Sequence, residues 1–138
     1  MGPRILVVDD ELSMREMLSI LLKRSGFEVD DAPGPEAAFA ALERTTYDLV
    51  ITDLAMPTGG GMAVLDRVKE HAPETQVVLM TAYASTESAV EAMKRGAFDY
   101  LIKPFKTDEM LIVVRHCLEK KVLAKENVLL KKALGTRY

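Results

Sequence analysis

This 138-residue chain has no tryptophan and only one cysteine, Cys117, so no disulfide can form within it. It shows no signal-peptide pattern and no apolar run long enough to span a bilayer, so the expected home is a reducing cytoplasm, away from membranes. A basic excess is missing too. Lys and Arg number 18 against 21 Asp and Glu, a formal net charge of −3, and such a balance offers no broad positive field for direct binding of nucleic acid. No glycine-rich turn follows the first apolar run, "VVDDEL", as a nucleotide-binding module would need. The two histidines, His71 in a loop before Pro73 and His116 on a helical stretch, have no ligand-spaced partner and are expected at the surface. No activating His or Lys pattern surrounds Cys117, which reads as a small core or interface residue. What is present, 49% hydrophobic and 28% charged residues, suits one ordinary globular domain with a sizeable core.

Three short runs, "ILVV" (5–8), "DLVI" (48–51) and "VVLM" (77–80), are continuously apolar and mostly β-branched, as strands covered on both faces are. "FEVD" (27–30) alternates like a half-exposed edge, and "YLI" (100–102) is a brief fifth run. Helical patterns lie between them. Met14, Met17, Leu18, Leu21 and Leu22 form one apolar stripe, with Lys23 and Arg24 in its last turn and Gly26 as its stop. Pro35 opens the second helix, and Met62, Leu65 and Val68 mark the third. "STESAVEAMKRG" begins on a Ser or Thr cap, and a last helix starts near Thr107 or Asp108. Five strand–helix repeats of this length predict right-handed crossovers and a doubly wound α/β fold with a parallel sheet.

In such sheets ligands bind beyond the carboxyl ends of the strands. Those ends carry Asp9, Asp10 and Glu11 after the first run, Asp53 after the third, Thr81 after the fourth, and Lys103 before Pro104 after the fifth. The carboxylates of Asp9, Asp10 and Asp53, a hydroxyl and an ammonium are therefore expected in one crevice. Adjacent carboxylates at the end of a buried strand repel each other and lose hydration, which calls for a compensating cation. Carboxylates without His or Cys suit a hard ion, and Mg2+ better than zinc. Asp53 is then a plausible nucleophile for an acyl phosphate, with Thr81 and Lys103 placed to bind its oxygens.

"LVVDDE", "DLVITDLAMP", "LMTAY" and "FDYLIKPF", in that order and spacing from about Arg4 to Leu118, resemble the receiver domain of two-component response regulators. The resemblance implies a flavodoxin-like (βα)5 fold with strand order 2-1-3-4-5 over residues 1–118. It implies Mg2+ held by Asp9, Asp10, Asp53 and the backbone carbonyl of Ala55, with Asp10 the more direct ligand of the acidic pair. Asp53 matches the phosphoacceptor, supplied by a sensor histidine kinase or small phosphodonors. Thr81 and Lys103 match the residues that sense the phosphate, and the Lys103–Pro104 bond is expected to be cis. Tyr100 matches the aromatic switch, whose ring turns inward when the residue matching Thr81 is drawn to the phosphate. Ala55 and Tyr83 match positions that modulate hydrolysis of the phosphate. The implied role is a regulatory phosphoacceptor that assists its own phosphorylation and dephosphorylation, not an enzyme acting on outside substrates. One departure is Gly60, where the family often has Asp, Ser or Asn before the glycine matching Gly61; a lost helix cap and a less rigid 58–61 loop are expected there.

Beyond Leu118, "EKKVLAKENVLLKKAL" continues with strong helix formers. Leu123, Asn127, Leu130 and Leu134 follow the 4-3-4 spacing of a coiled-coil seam with one polar position. Residues 119–138 thus look like the linker between receiver and ATPase in activators of the sigma-54 polymerase, the NtrC type, and "TAYASTESAVEAMKRGAFDYLIKPF" is similar to that branch. The resemblance implies a homodimer through the face of the fourth helix, fifth strand and fifth helix, or through the linker helix. Phosphorylation would rearrange that dimer and so control the protein's own ATPase and DNA-binding domains and transcription. A stand-alone receiver serving as phosphorelay carrier or adaptor is the nearest alternative, and it predicts a monomer. An aspartyl phosphatase is less well matched, since Leu54 and Ala55 follow Asp53 where that class has a second Asp two residues on.

Overall fold

The continuous apolar runs become the strands at the centre of the molecule. A computed structural model describes residues 2–56, 60–82 and 85–119. In chain order it has β1 (Arg4–Val8), α1 (Leu12–Arg24), β2 (Glu28–Ala32), α2 (Pro35–Arg44), β3 (Leu49–Asp53), α3 (Gly60–His71), β4 (Gln76–Thr81), α4 (Thr86–Lys94) and β5 (Asp99–Ile102). A final helix, α5, is described over 107–119. The five strands form one parallel sheet in the order β2-β1-β3-β4-β5. Such an order reverses direction beside β1, and the crevice between the ends of β1 and β3 lies there.

Alternate residues of each strand enter two separate cores, as the period of two demands. Ile5, Val7, Leu49, Ile51, Val78 and Met80 pack against Leu18 and Leu22 of α1 and Met110, Val114 and Cys117 of α5. Leu6, Val8, Val50, Val77 and Leu79 pack against α2 and α3 and against Ala92 of α4. Burying one such leucine or valine side chain contributes about 1.5–3 kcal/mol, so this double layer is what holds the strand ends in register. The stripe on α1 is narrower than its spacing implies: Leu18 and Leu22 are buried, whereas Met17 faces outward. The edge position read from "FEVD" holds, with β2 half-exposed along most of its length.

Two helix starts were legible. Pro35 sits in the first turn of α2, and Ser85 caps α4 through its Oγ, which accepts from the Ser88 N–H at 3.0 Å. The start of α3 differs from expectation. Gly60 is the first residue of that helix and adopts φ +59, and a Cβ built on it would run into the Leu54 carbonyl oxygen. Gly61 is equally confined by Asp53 and Leu54, and its N–H donates to the Leu54 carbonyl at 3.0 Å. The glycine at 60 is therefore required by backbone approach, while the residues before it that would carry a cap lie outside the described residues. Gly60→Ala is expected to cost about 1–3 kcal/mol, combining left-handed strain with overlap against rigid backbone. Urea denaturation checks this, and a midpoint equal to that of the wild type would refute the steric account. His71 is likewise the last residue of α3 and not a loop residue, because the helix runs on until the turn before Pro73. The expected linker over 119–138 lies, apart from Glu119, outside the described residues, as does Tyr83.

Candidate functional site

The strand ends bring Asp9, Asp10 and Asp53 together, with one carboxylate oxygen of each within 4.8 Å of the others. The pair at the end of β1 is not symmetric. Asp9 is fully buried and Asp10 is exposed, both lying just beyond the last residue of β1, where the chain turns out of the sheet. Only Asp9 therefore bears the desolvation expected of both. Its Oδ1 accepts from the Glu11 N–H at 2.9 Å, closing an Asx-type turn, and its Oδ2 accepts from Lys103 Nζ at 2.8 Å.

Lys103 also reaches Asp53 Oδ2 at 3.5 Å, so one ammonium serves two carboxylates. Asp53 is the last residue of β3, nearly buried, and its Oδ1 accepts from the Ala55 N–H at 3.4 Å. Burial pushes the Asp53 carboxyl above its ordinary value; Lys103 pulls it down, and the charge of Asp9 pushes it further up. For Lys103, burial works against the ammonium, but the hydrogen bond and charge of Asp9 and the charge of Asp53 outweigh it and hold the group above its usual value. Lys103 is thus the resident counter-charge of the crevice, and the carboxylates still outnumber it.

Thr81 ends β4 and is buried, and its carbonyl accepts from the Lys103 N–H at 2.8 Å. Because Met80 pairs with Asp53 across the ladder, Thr81 lies one residue further along the same end of the sheet. The Lys103–Pro104 bond is cis, as the resemblance implied. Tyr100, on β5, is half-buried against the core of α2, α3 and α4, and its hydroxyl lies 2.8 Å from Ser88 Oγ. Ser88 is the capping-box partner of Ser85, so the start of α4 and the tyrosine share one hydroxyl.

This donor set fits a hard divalent cation: three carboxylates of graded exposure, no histidine and no thiolate. Two participants were not anticipated from sequence. Ser88 touches Tyr100 across 12 residues. Arg15 donates from Nη1 to the Asp9 carbonyl at 2.9 Å. A signal for Arg15 did exist, since a cation near the start of a helix with no acid in its first turn opposes the helix dipole and invites another explanation.

Comparison with known proteins agrees with this geometry. Residues 5–115 match the response regulator receiver domain. The chain is 42% identical over 135 residues to the regulatory protein AtoC of Escherichia coli (strain K12), covering 98% of this chain and 29% of that protein. It superposes on the crystal structure of NtrX from Brucella abortus with a TM-score of 0.91 and 35% identity, covering 100% of this chain and 31% of that one. It superposes on the beryllofluoride-activated NtrC4 receiver domain dimer with a TM-score of 0.81 and 34% identity, covering 86% of this chain and 98% of that one. The chain therefore spans less than a third of AtoC and of NtrX.

Proposed function

The chain belongs to the response regulator receiver family, and from that premise we propose that it is a phosphorylation-controlled switch with Asp53 as phosphoacceptor. The observation that carries this reading is the Lys103 ammonium set between buried Asp9 and Asp53, beside a cluster of three carboxylates. A sensor histidine kinase is the proposed donor, with small phosphodonors as substitutes. An Asp53 carboxylate oxygen forms a bond to phosphorus while the phosphorus–nitrogen bond of phosphohistidine breaks, its electron pair returning to the imidazole. Lys103 stays within reach of the acceptor and binds the new phosphoryl oxygens. A Mg2+ ion held by Asp9, Asp10, Asp53 and the Ala55 carbonyl would supply further charge neutralisation for those oxygens.

Thr81 and Tyr100 are proposed as the relay. The hydroxyl bond between Tyr100 and Ser88 belongs to one position of the ring, so any second position loses it and gains others; phosphate biases the balance by that difference. The output face is proposed to be α4, β5 and α5, where Val90, Met93, Ile102 and Ile112 are exposed apolar side chains. A second copy of this chain is the proposed occupant. The receiver dimer of NtrC4 supports that reading by likeness. The extensive likeness to AtoC and NtrX supports a place ahead of effector domains, proposed as the ATPase and DNA-binding domains of a sigma-54 activator. A cytoplasmic location is proposed with it; among the described residues no helix is long and apolar enough to cross a membrane.

Light scattering with Mg2+, with and without beryllofluoride as a phosphate mimic, tests the switch. A change of mass that Asp53→Ala abolishes is expected. A constant mass in both proteins would remove dimer control from this fragment and favour a monomeric phosphorelay carrier.

A further inference from the structure

One side chain grips the acidic loop from outside it. Arg15 projects from α1, and while its Nη1 donates to the Asp9 carbonyl, its Nε donates to Asp31 Oδ2 at 3.1 Å on neighbouring β2. Only 14% of the Arg15 side chain is exposed. A planar guanidinium that spans two acceptors fixes the distance between them, which a flexible ammonium cannot do. The other polar groups of Asp9 are held by the Ala32 carbonyl, the Glu11 N–H and Lys103. Arg15 completes that grip. Asp10 is exposed, so its direction depends on the backbone to either side of it.

Building on the phosphoacceptor reading above, we propose that Arg15 is a positioning residue for the divalent-cation site. It ties the loop of residues 9–11 to β2 so that the Asp10 carboxylate is presented beside Asp53. Two effects of opposite sign compete here. A positive charge near the carboxylates repels a cation, whereas an ordered loop binds it better. Because the guanidinium charge is already engaged by Asp31, ordering is the larger of the two. Arg15→Ala is expected to weaken Mg2+ binding by about tenfold, the size found when a group that orients a metal ligand is lost. Arg15→Lys keeps the charge but cannot span both acceptors, and a similar loss is expected. Arg15 is largely covered but its partner Asp31 is half open to water, so the pair contributes little to stability and the melting temperature is expected to move by less than about 3 °C.

The test is titration of the isotope-labelled chain with Mg2+ alone, read from backbone amide shifts of Asp10, Glu11 and Ala55, with thermal melts in parallel. Weaker binding in both variants, with melting preserved, supports the proposal. Wild-type affinity in Arg15→Lys, or tighter binding in Arg15→Ala, would overturn it, because charge alone would then account for the residue. A large fall in melting temperature in both variants would also overturn it by assigning Arg15 to folding. If the wild type itself binds no Mg2+, the phosphoacceptor reading fails first, and that result is distinct from all of these.

Discussion

Lys103→Met is expected to destabilise the protein by about 3–5 kcal/mol at neutral pH, the cost of leaving a buried charge without its partner. Asp9 is fully buried and, among the described residues, its side chain pairs with the Lys103 ammonium at 2.8 Å, while Asp53 lies beside the same ammonium. Against a total stability of about 5–15 kcal/mol, the loss is a large share of what holds the fold. Urea denaturation measures it. Asp9→Asn in the Lys103→Met background is expected to recover much of the loss, because the orphaned charge is then gone. The pH dependence carries the same sign. Lys103 titrates above its ordinary 10.5 in the folded chain, so its contribution is complete below 10.5 and is lost as pH rises through the folded value. That alkaline loss is expected in the wild type and not in Lys103→Met. A variant within 1 kcal/mol of the wild type, roughly the value of an exposed pair, would show that Asp9 finds its compensation elsewhere.

Asp53→Asn is expected to have two effects of opposite sign, the loss of phosphoryl acceptance and a gain in stability. The amide cannot form an acyl phosphate, so incubation with acetyl phosphate and Mg2+ is expected to leave its intact mass unchanged while the wild type gains a phosphoryl group. The stability gain follows from linkage. The folded chain holds the Asp53 proton more tightly than the unfolded chain does, so the stability this group provides is present below the ordinary 3.8 and lost as pH rises through its folded value. At neutral pH the ionised carboxylate beside Asp9 is therefore a cost. Its removal is expected to raise the melting temperature by about 4 °C, taking on the order of 1 kcal/mol for a domain of this length. Added Mg2+ is expected to stabilise the wild type more than the variant. A lower melting temperature in Asp53→Asn without Mg2+ would sink this electrostatic account.

The same crevice thus holds more negative charge than its one ammonium neutralises. Lys103 compensates Asp9 closely and Asp53 loosely, and the exposed Asp10 stays hydrated. A site arranged in this way is poised for a further cation and an anion, and both predictions above measure how far it is from balance.

Much of this is legible in the sequence. The strands followed from continuous β-branched runs, the helices from apolar spacing and caps, and the crevice from the rule that parallel strands deliver their ends to one side. Those ends carry Asp9, Asp10, Asp53, Thr81 and Lys103. Local pattern suffices for this because burial on a strand or helix repeats with a fixed period, and the chain records that period directly.

What the sequence determined by itself is which elements form and which polar groups gather at one end of the sheet. Tertiary structure alone decided which of two adjacent aspartates loses its water, that Lys103 serves both Asp9 and Asp53, and that Gly60 is required by the Leu54 carbonyl. It also decided the contacts of Arg15 with Asp9 and Asp31 and of Ser88 with Tyr100. Each of these depends on the register of strands and on distances between segments far apart in the chain. Periodicity along one segment carries no information about such distances, whereas desolvation and hydrogen bonding depend on them within tenths of an ångström.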